Sequence, residues 1–301
     1  MSRRALLLFA ALSVLWGVPY LLIRVAVRDV SPATVVVART ALGALLLLPL
    51  AVRGGGFGAA LRRWPALLAF TLLEVTGPWW LLARAEQRLP SALSGLLVAA
   101  TPLVAAVTTR LVGGDQPLTR SRLVGLAVGF AGVVALLGLD LATTDLGAAG
   151  AVGLVVLGYG SAPLLLNRHL SDVPPLAVIV SALAFTAVVY LPAAVAAAPT
   201  ERPGAAALVS LGVLASLCTA VAFVAFFALI ADAGPNRALV ITFVNPAVAV
   251  VLGVAVLGER LTPAMVVGFV LILVGAVTAT RRPQTSRLGR RPSSTSSALR
   301  R

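Results

Sequence analysis

The chain has 301 residues, 59% of them hydrophobic and 11% charged, with a mean hydropathy of +1.02. So apolar a composition excludes a soluble domain that hides its hydrophobic residues in one core. The formal net charge of +14 would suggest nucleic acid in a soluble protein, but here it follows from loops and tail, and no nucleic-acid partner is expected.

Crossing a hydrocarbon core roughly 30 Å thick takes about 17 to 25 apolar residues. Ten such runs are predicted, over about 5–23, 33–52, 65–83, 91–112, 121–139, 147–166, 174–195, 205–230, 237–257 and 263–280. A lipid-facing barrel would show short alternating segments instead. The first run has the basic start and apolar middle of a signal peptide but ends in no small-residue cleavage site, so it reads as a retained helix. It carries Trp16-Gly17 and Tyr20. The second run holds Arg39, about six residues in, and the third holds Glu74 near its middle, then Trp79 and Trp80. Thr101-Pro102 lies about ten residues into the fourth, Gly125, Gly129 and Gly132 mark the fifth, and Tyr159 the sixth. Cys218, the single cysteine, sits in the eighth; it allows no internal disulfide or multi-thiolate metal site and reads as a small buried apolar residue. Asn245-Pro246 lies in the ninth run and Gly268 and Gly275 in the tenth.

These landmarks repeat. Pro102, Gly114-Asp115, Thr119, Gly125 and Gly132 recur 143 to 144 residues later as Pro246, Gly258-Glu259, Thr262, Gly268 and Gly275. Pro19 and Arg24, followed by Asp29, likewise match Pro163 and Arg168, followed by Asp172. Five runs per copy is odd, so the second copy enters the bilayer from the opposite side. The expected fold is an all-α integral membrane protein of ten transmembrane helices in two inverted five-helix repeats, 5–139 and 147–280, with a disordered basic tail over 281–301.

All 24 basic residues are arginine, and their distribution orients the chain. With the N-terminus cytoplasmic, the inner loops and tails hold 17, including Arg53, Arg62, Arg63, Arg110, Arg168, Arg237 and seven after residue 280, against 6 in the outer loops. Both termini are therefore expected in the cytoplasm, in the cell membrane. The tail reads as a topological anchor, with contact to anionic headgroups as the alternative.

Taken together, Trp16-Gly17, Arg39, Leu257-Gly258-Glu259-Arg260-Leu261-Thr262 and the glycines of the fifth and tenth runs resemble the EamA-type members of the drug/metabolite transporter superfamily. The likeness covers about residues 5–280; Val18-Pro19 departs from it, where members often carry small polar residues. It implies a transporter of amino acids, other metabolites or drugs.

The remaining residues suggest where transport chemistry would sit. Pro102 and Pro246 interrupt helices near the midplane, the kind of place where inverted-repeat transporters bind substrate, and Asn245 and Thr101 beside them offer polar groups. The glycine faces of the fifth and tenth runs are packing surfaces, within one chain or between two in a homodimer. Asp115 and Glu259, just past helix ends, read as caps of the next helix's N-terminus. Arg39 and Glu74 lie roughly 10 Å and 15 Å from the outer surface by helical rise, close enough in depth to pair. Ionised groups at that depth need a partner or a function. Ala182 stands opposite Arg39 in the repeat, so the pair breaks the symmetry. Glu74 is accordingly read as a proton-coupling site or a counter-charge for a cationic substrate, with a static bridge to Arg39 as the alternative. Trp16, Tyr20, Trp79, Trp80 and Tyr159 offer rings for a flat or cationic ligand; interfacial anchoring is the alternative for Tyr20 and Trp64.

The leading expectation is a secondary active exporter of a small metabolite or drug, working by alternating access in the lipid bilayer and open to proton coupling. A flippase of a lipid or lipid-linked substrate is the alternative. A membrane-embedded enzyme would need clustered catalytic groups, and His169, the one histidine, stands alone in a loop. No nucleotide-binding motif, cofactor or metal is expected.

Overall fold

A computed structural model of the chain describes residues 2–112, 119–138, 145–234 and 238–280, and every regular element among them is helical. Helix lies over each apolar run: α1 (Arg3–Ala26), α2 (Pro32–Gly54), α3 (Trp64–Ala85), α4 (Ser91–Leu111), α5 (Arg120–Gly138), α6 (Leu146–His169), α7 (Pro175–Ala196), α8 (Ala205–Ala233), α9 (Val240–Leu257) and α10 (Pro263–Thr280). Among the described residues, nine of these are long and apolar enough to cross a membrane, and Pro263–Ala279 is a shorter apolar helix. Gly114-Asp115, Arg237 and the tail over 281–301 lie outside the described residues.

Polar side chains begin the helices where backbone N–H groups lack partners. Ser2 Oγ accepts from Ala5 N at 2.9 Å, Ser31 Oγ from Thr34 N at 3.1 Å, and Asp145 Oδ1 from Ala148 N at 2.9 Å. The repeated threonines have the same role. Thr119 accepts from Arg122 N and Thr262 from Met265 N, both at 3.3 Å, so they cap α5 and α10.

The packing is paired. α2 lies along α7 and α5 along α10, while α4 meets α9; α1 packs on α8 and α9 as α6 packs on α3 and α4. The glycine faces of α5 and α10 meet each other within the chain, which settles how they pack here. A Cβ on Gly132 would lie 2.7 Å from the Gly268 carbonyl oxygen, and one on Gly125 would lie 2.5 Å from Ala279 N.

Four helices depart from α geometry, again in pairs. α3 widens to a π turn over Leu72–Thr76 and α8 over Ser216–Val221. α4 breaks at Ala99-Ala100 and α9 starts through the 3₁₀ turn Leu239–Phe243. Pro102 and Pro246 therefore do not themselves interrupt the helices, as the sequence suggested. Pro102 and Pro246 occupy the first turn of restarted α-helices, where a missing N–H costs nothing.

Contacts between connections sort them into two sets. Asp29 accepts from Gly204 N at 2.8 Å, Arg88 pairs with Asp145 at 2.9 Å, and Glu259 binds Ser91, all at one end of the bundle. Arg63 pairs with Asp172 and donates to the His169 carbonyl at 2.6 Å, and Ser2 donates to Asp232, at the other.

Gly132→Leu should lower the thermal unfolding midpoint by the equivalent of about 1–3 kcal/mol through overpacking. Gly150→Leu, at a position with open space around it, should leave it nearly unchanged; equal losses would show that the α5–α10 contact is not close-packed.

Candidate substrate site

Arg39 is 7% exposed in α2, and a cation there must find electron density inside the bundle. It finds two sources. Its Nε donates to Thr219 Oγ1 at 2.9 Å, and its Cζ lies 3.6 Å from the centroid of the Trp79 ring. Thr219 belongs to the π turn of α8 and donates its own proton to the Leu214 carbonyl at 2.8 Å, which leaves its oxygen to accept from Arg39. Trp79 follows the π turn of α3. One partner of Arg39 thus lies within a π turn and the other just after one.

The expected bridge between Arg39 and Glu74 does not form. Among the described residues the ion pairs are Arg63–Asp172 and Arg88–Asp145. Trp79 and Thr219 occupy the guanidinium instead, and Glu74, half-buried inside the α3 π turn, comes into electrostatic range of Tyr159.

Tyr20 and Tyr159 complete the centre. Both lie within electrostatic reach of Arg39, as does buried Cys218. Tyr20 is 6% exposed, so it faces the bundle and is no interfacial anchor, whereas Trp64 is 62% exposed at the start of α3. Glycines on both sides of Tyr159 let α6 approach. A Cβ on Gly158 would meet the Leu73 carbonyl and Pro78, and one on Gly160 would lie 2.7 Å from Val104 Cγ1.

Other expected site residues fall elsewhere. Trp16 packs on Phe226, with ring centroids 4.8 Å apart, in a separate aromatic cluster with Phe223 and Phe227. Trp80 stacks on Tyr190. Thr101 Oγ1 donates to the Val98 carbonyl at 2.7 Å, so the carbonyl freed by the α4 break is satisfied locally. Pro102 is half-buried and Pro246 buried. Asn245 Oδ1 is buried with no hydrogen-bond partner among the described residues, so it does not bond a neighbouring helix through that oxygen.

Glu259 is a cap, but of a different helix from the one expected. Gly258, at φ +66°, turns the chain at the end of α9, and the Glu259 carboxylate then accepts from Ser91 N at 2.7 Å and Ala92 N at 2.8 Å. It therefore caps α4, 168 residues away, rather than α10. Gly253 leaves the room, since a Cβ there would lie 2.5 Å from Glu259 Oε2.

Sequence reasoning missed Thr219, Glu86 and the π turns. Thr219 had a signal, because it stands 143 residues after Thr76; Glu86 had none beyond an acid in a turn.

Comparison with known proteins supports this setting. The profile of the EamA-like transporter family matches residues 3–138 and 147–281. Proteins named uncharacterized inner membrane transporter YedA, from three Escherichia coli strains, are 30% identical over 267 residues, covering 86% of this chain and 86% of theirs. A protein of known crystal structure shares the fold, with a TM-score of 0.65 at 20% identity over 92% of this chain and 96% of its own.

Thr219→Val should leave the buried Arg39 Nε–H without its acceptor and cost about 1–3 kcal/mol, read as a lower thermal midpoint. A stability equal to wild type would show that Trp79 alone suffices.

Proposed function

Because the chain belongs to the EamA-like transporter family, we propose that it is a secondary active exporter whose substrate carries a carboxylate or other anionic group received by Arg39. The observation that carries this reading is a guanidinium buried in the bundle that no carboxylate neutralises among the described residues. Thr219 and Trp79 hold it without cancelling its charge. Tyr20 and Tyr159 would supply rings and hydroxyls around a small metabolite or drug, and the helix breaks before Pro102 and Pro246 would let neighbouring helices move. Family membership favours transport over the membrane-embedded enzyme reading.

In this proposal ten spans form two inverted repeats, over 5–139 and 147–280, that rock about the site. Support comes from the paired contacts of corresponding helices and from connections that touch as an alternating path requires. Both termini are assigned to the cytoplasm by the arginine distribution. Glu74, inside a π turn, is the proposed proton-coupling group of the substrate site.

A lipid-linked substrate is the second reading. A groove of about 340 Å³ between α1 and α9, lined by Val14, Val18, Ala247, Val248, Val251 and Leu252, would accept an acyl chain.

Purified protein should be stabilised by anionic or zwitterionic metabolites, by roughly 2.7 kcal/mol at about 100 times the dissociation constant, and Arg39→Gln should remove the effect. Stabilisation by cationic drugs alone would overturn the assignment of Arg39. In proteoliposomes Glu74→Gln should abolish transport driven by a pH gradient while leaving the fold intact; equal rates would remove Glu74 from coupling.

A further inference from the structure

Glu86 occupies the turn between α3 and α4 and is completely buried. Neither carboxyl oxygen has a hydrogen-bond partner among the described residues. Among the described residues, the charged and titratable groups that face it are Glu259 from the α9–α10 connection, Arg24 and Tyr20 from α1, and Arg39 from α2. None donates to the carboxyl. Arg24 donates to the backbone carbonyl of Glu86, Glu259 is engaged by Ser91 and Ala92, and Arg39 is engaged by Thr219. The other arginines near this turn are also placed elsewhere, Arg84 over Trp80 and Arg88 on Asp145.

A carboxylate anion with no donor is expelled from such a place unless it takes up a proton. Burial, reinforced by the neighbouring Glu259 charge, pushes the Glu86 carboxyl well above the usual carboxylate range. The same segments close this end of the bundle. Arg24 ties α1 to the α3–α4 turn, and Glu259 ties the α9–α10 connection to the start of α4. Opening this end would break at least one of these ties and bring water to Glu86.

We propose that Glu86 is the proton-binding group of the extracytoplasmic gate, protonated when this end of the bundle is closed and ionised when it is open. Closing binds one proton from the outer solution and opening returns it; carboxylate and proton form a carboxylic acid, with no other reactant. The sign follows from the raised affinity for the proton in the closed form: closure is favoured at low pH and lost as pH rises past the Glu86 carboxyl's range. In an exporter, this makes resealing after substrate release dependent on a proton arriving from outside. The sidedness of this inference rests on the arginine distribution, and the opening of this end on the transport cycle proposed above.

The test uses the full chain with Cys218→Ala and nitroxide labels at Arg28→Cys and Arg260→Cys, two exposed positions at this end, read as a distance distribution without substrate across a pH series. A short distance should dominate at low pH, and the ratio of long to short should rise by up to about tenfold per pH unit. Glu86→Gln should hold the short distance at every pH. A distribution independent of pH, or a Glu86→Gln protein that responds as wild type does, would overturn the proposal. Should Glu86→Gln not fold, infrared spectra of the Glu74→Gln protein decide: a protonated-carboxyl band must be present at low pH and bleach as pH rises, and its absence would overturn the proposal. These readouts need no transported substrate, so they separate failure of the gate from failure of the transport reading.

Discussion

The centre of this bundle is organised by one requirement, that a guanidinium inside an apolar environment must be surrounded by electron density. A carboxylate would meet the requirement and consume the charge. The face of Trp79 and the oxygen of Thr219 meet it and keep the charge, at the expense of holding two helices open by one residue each. A π turn shifts every later side chain around its helix and leaves a carbonyl without its usual donor. Tyr190 donates to the Thr76 carbonyl at 3.0 Å in α3, and Thr219 donates to Leu214 in α8. In α8 the widened turn and the buried cation meet in one residue, Thr219.

The two halves use the same scaffold to different ends. Thr76 and Thr186 share a hydroxyl contact of 2.7 Å where α3 meets α7. At the corresponding place, where α8 meets α2, Thr219 stands against Gly43, whose missing Cβ would lie 2.8 Å from Thr219 Cγ2. With no hydroxyl opposite it, Thr219 accepts from Arg39 instead. Arg39 corresponds to Ala182 and Gly43 to Thr186, so two exchanges at conjugate positions turn a structural hydroxyl pair into a cation site. An asymmetric ligand needs such asymmetry, which duplication alone does not create.

Composition and run length made the helices legible, because ten apolar runs in 301 residues leave little else for the chain to do. The repeated Thr119 and Thr262 were legible as landmarks, and their role as caps follows from position. The helix interruptions were legible at Pro102 and Pro246 but misplaced, since proline marks where a helix restarts and the break lies upstream of it. Arg39 was legible as a buried charge; its partners were not. Depth along two helices places groups at one level, but azimuth decides which of them meet, and the π turns alter the azimuth without any distinctive residue. Glu86 was illegible for a related reason. A turn acid reads as solvated until the fold shows which turns are covered.

Among the described residues, the two ends of the bundle are held by chemistry of different kinds. At one end Arg63 and Asp172 form a bidentate pair with side chains 44% and 60% exposed. Such a pair is screened by water and salt and holds weakly. At the other end the Glu259 carboxylate accepts backbone N–H groups at a helix start, where charge-assisted bonds and the helix dipole act together, and Glu86, within electrostatic reach of it, is fully buried. The first closure can break and reform at small cost in free energy. The second is tied to the protonation of a buried acid. On the proposed topology the proton-sensitive end faces outward, where the proton gradient is available, and the weakly held end faces the cytoplasm, where substrate enters.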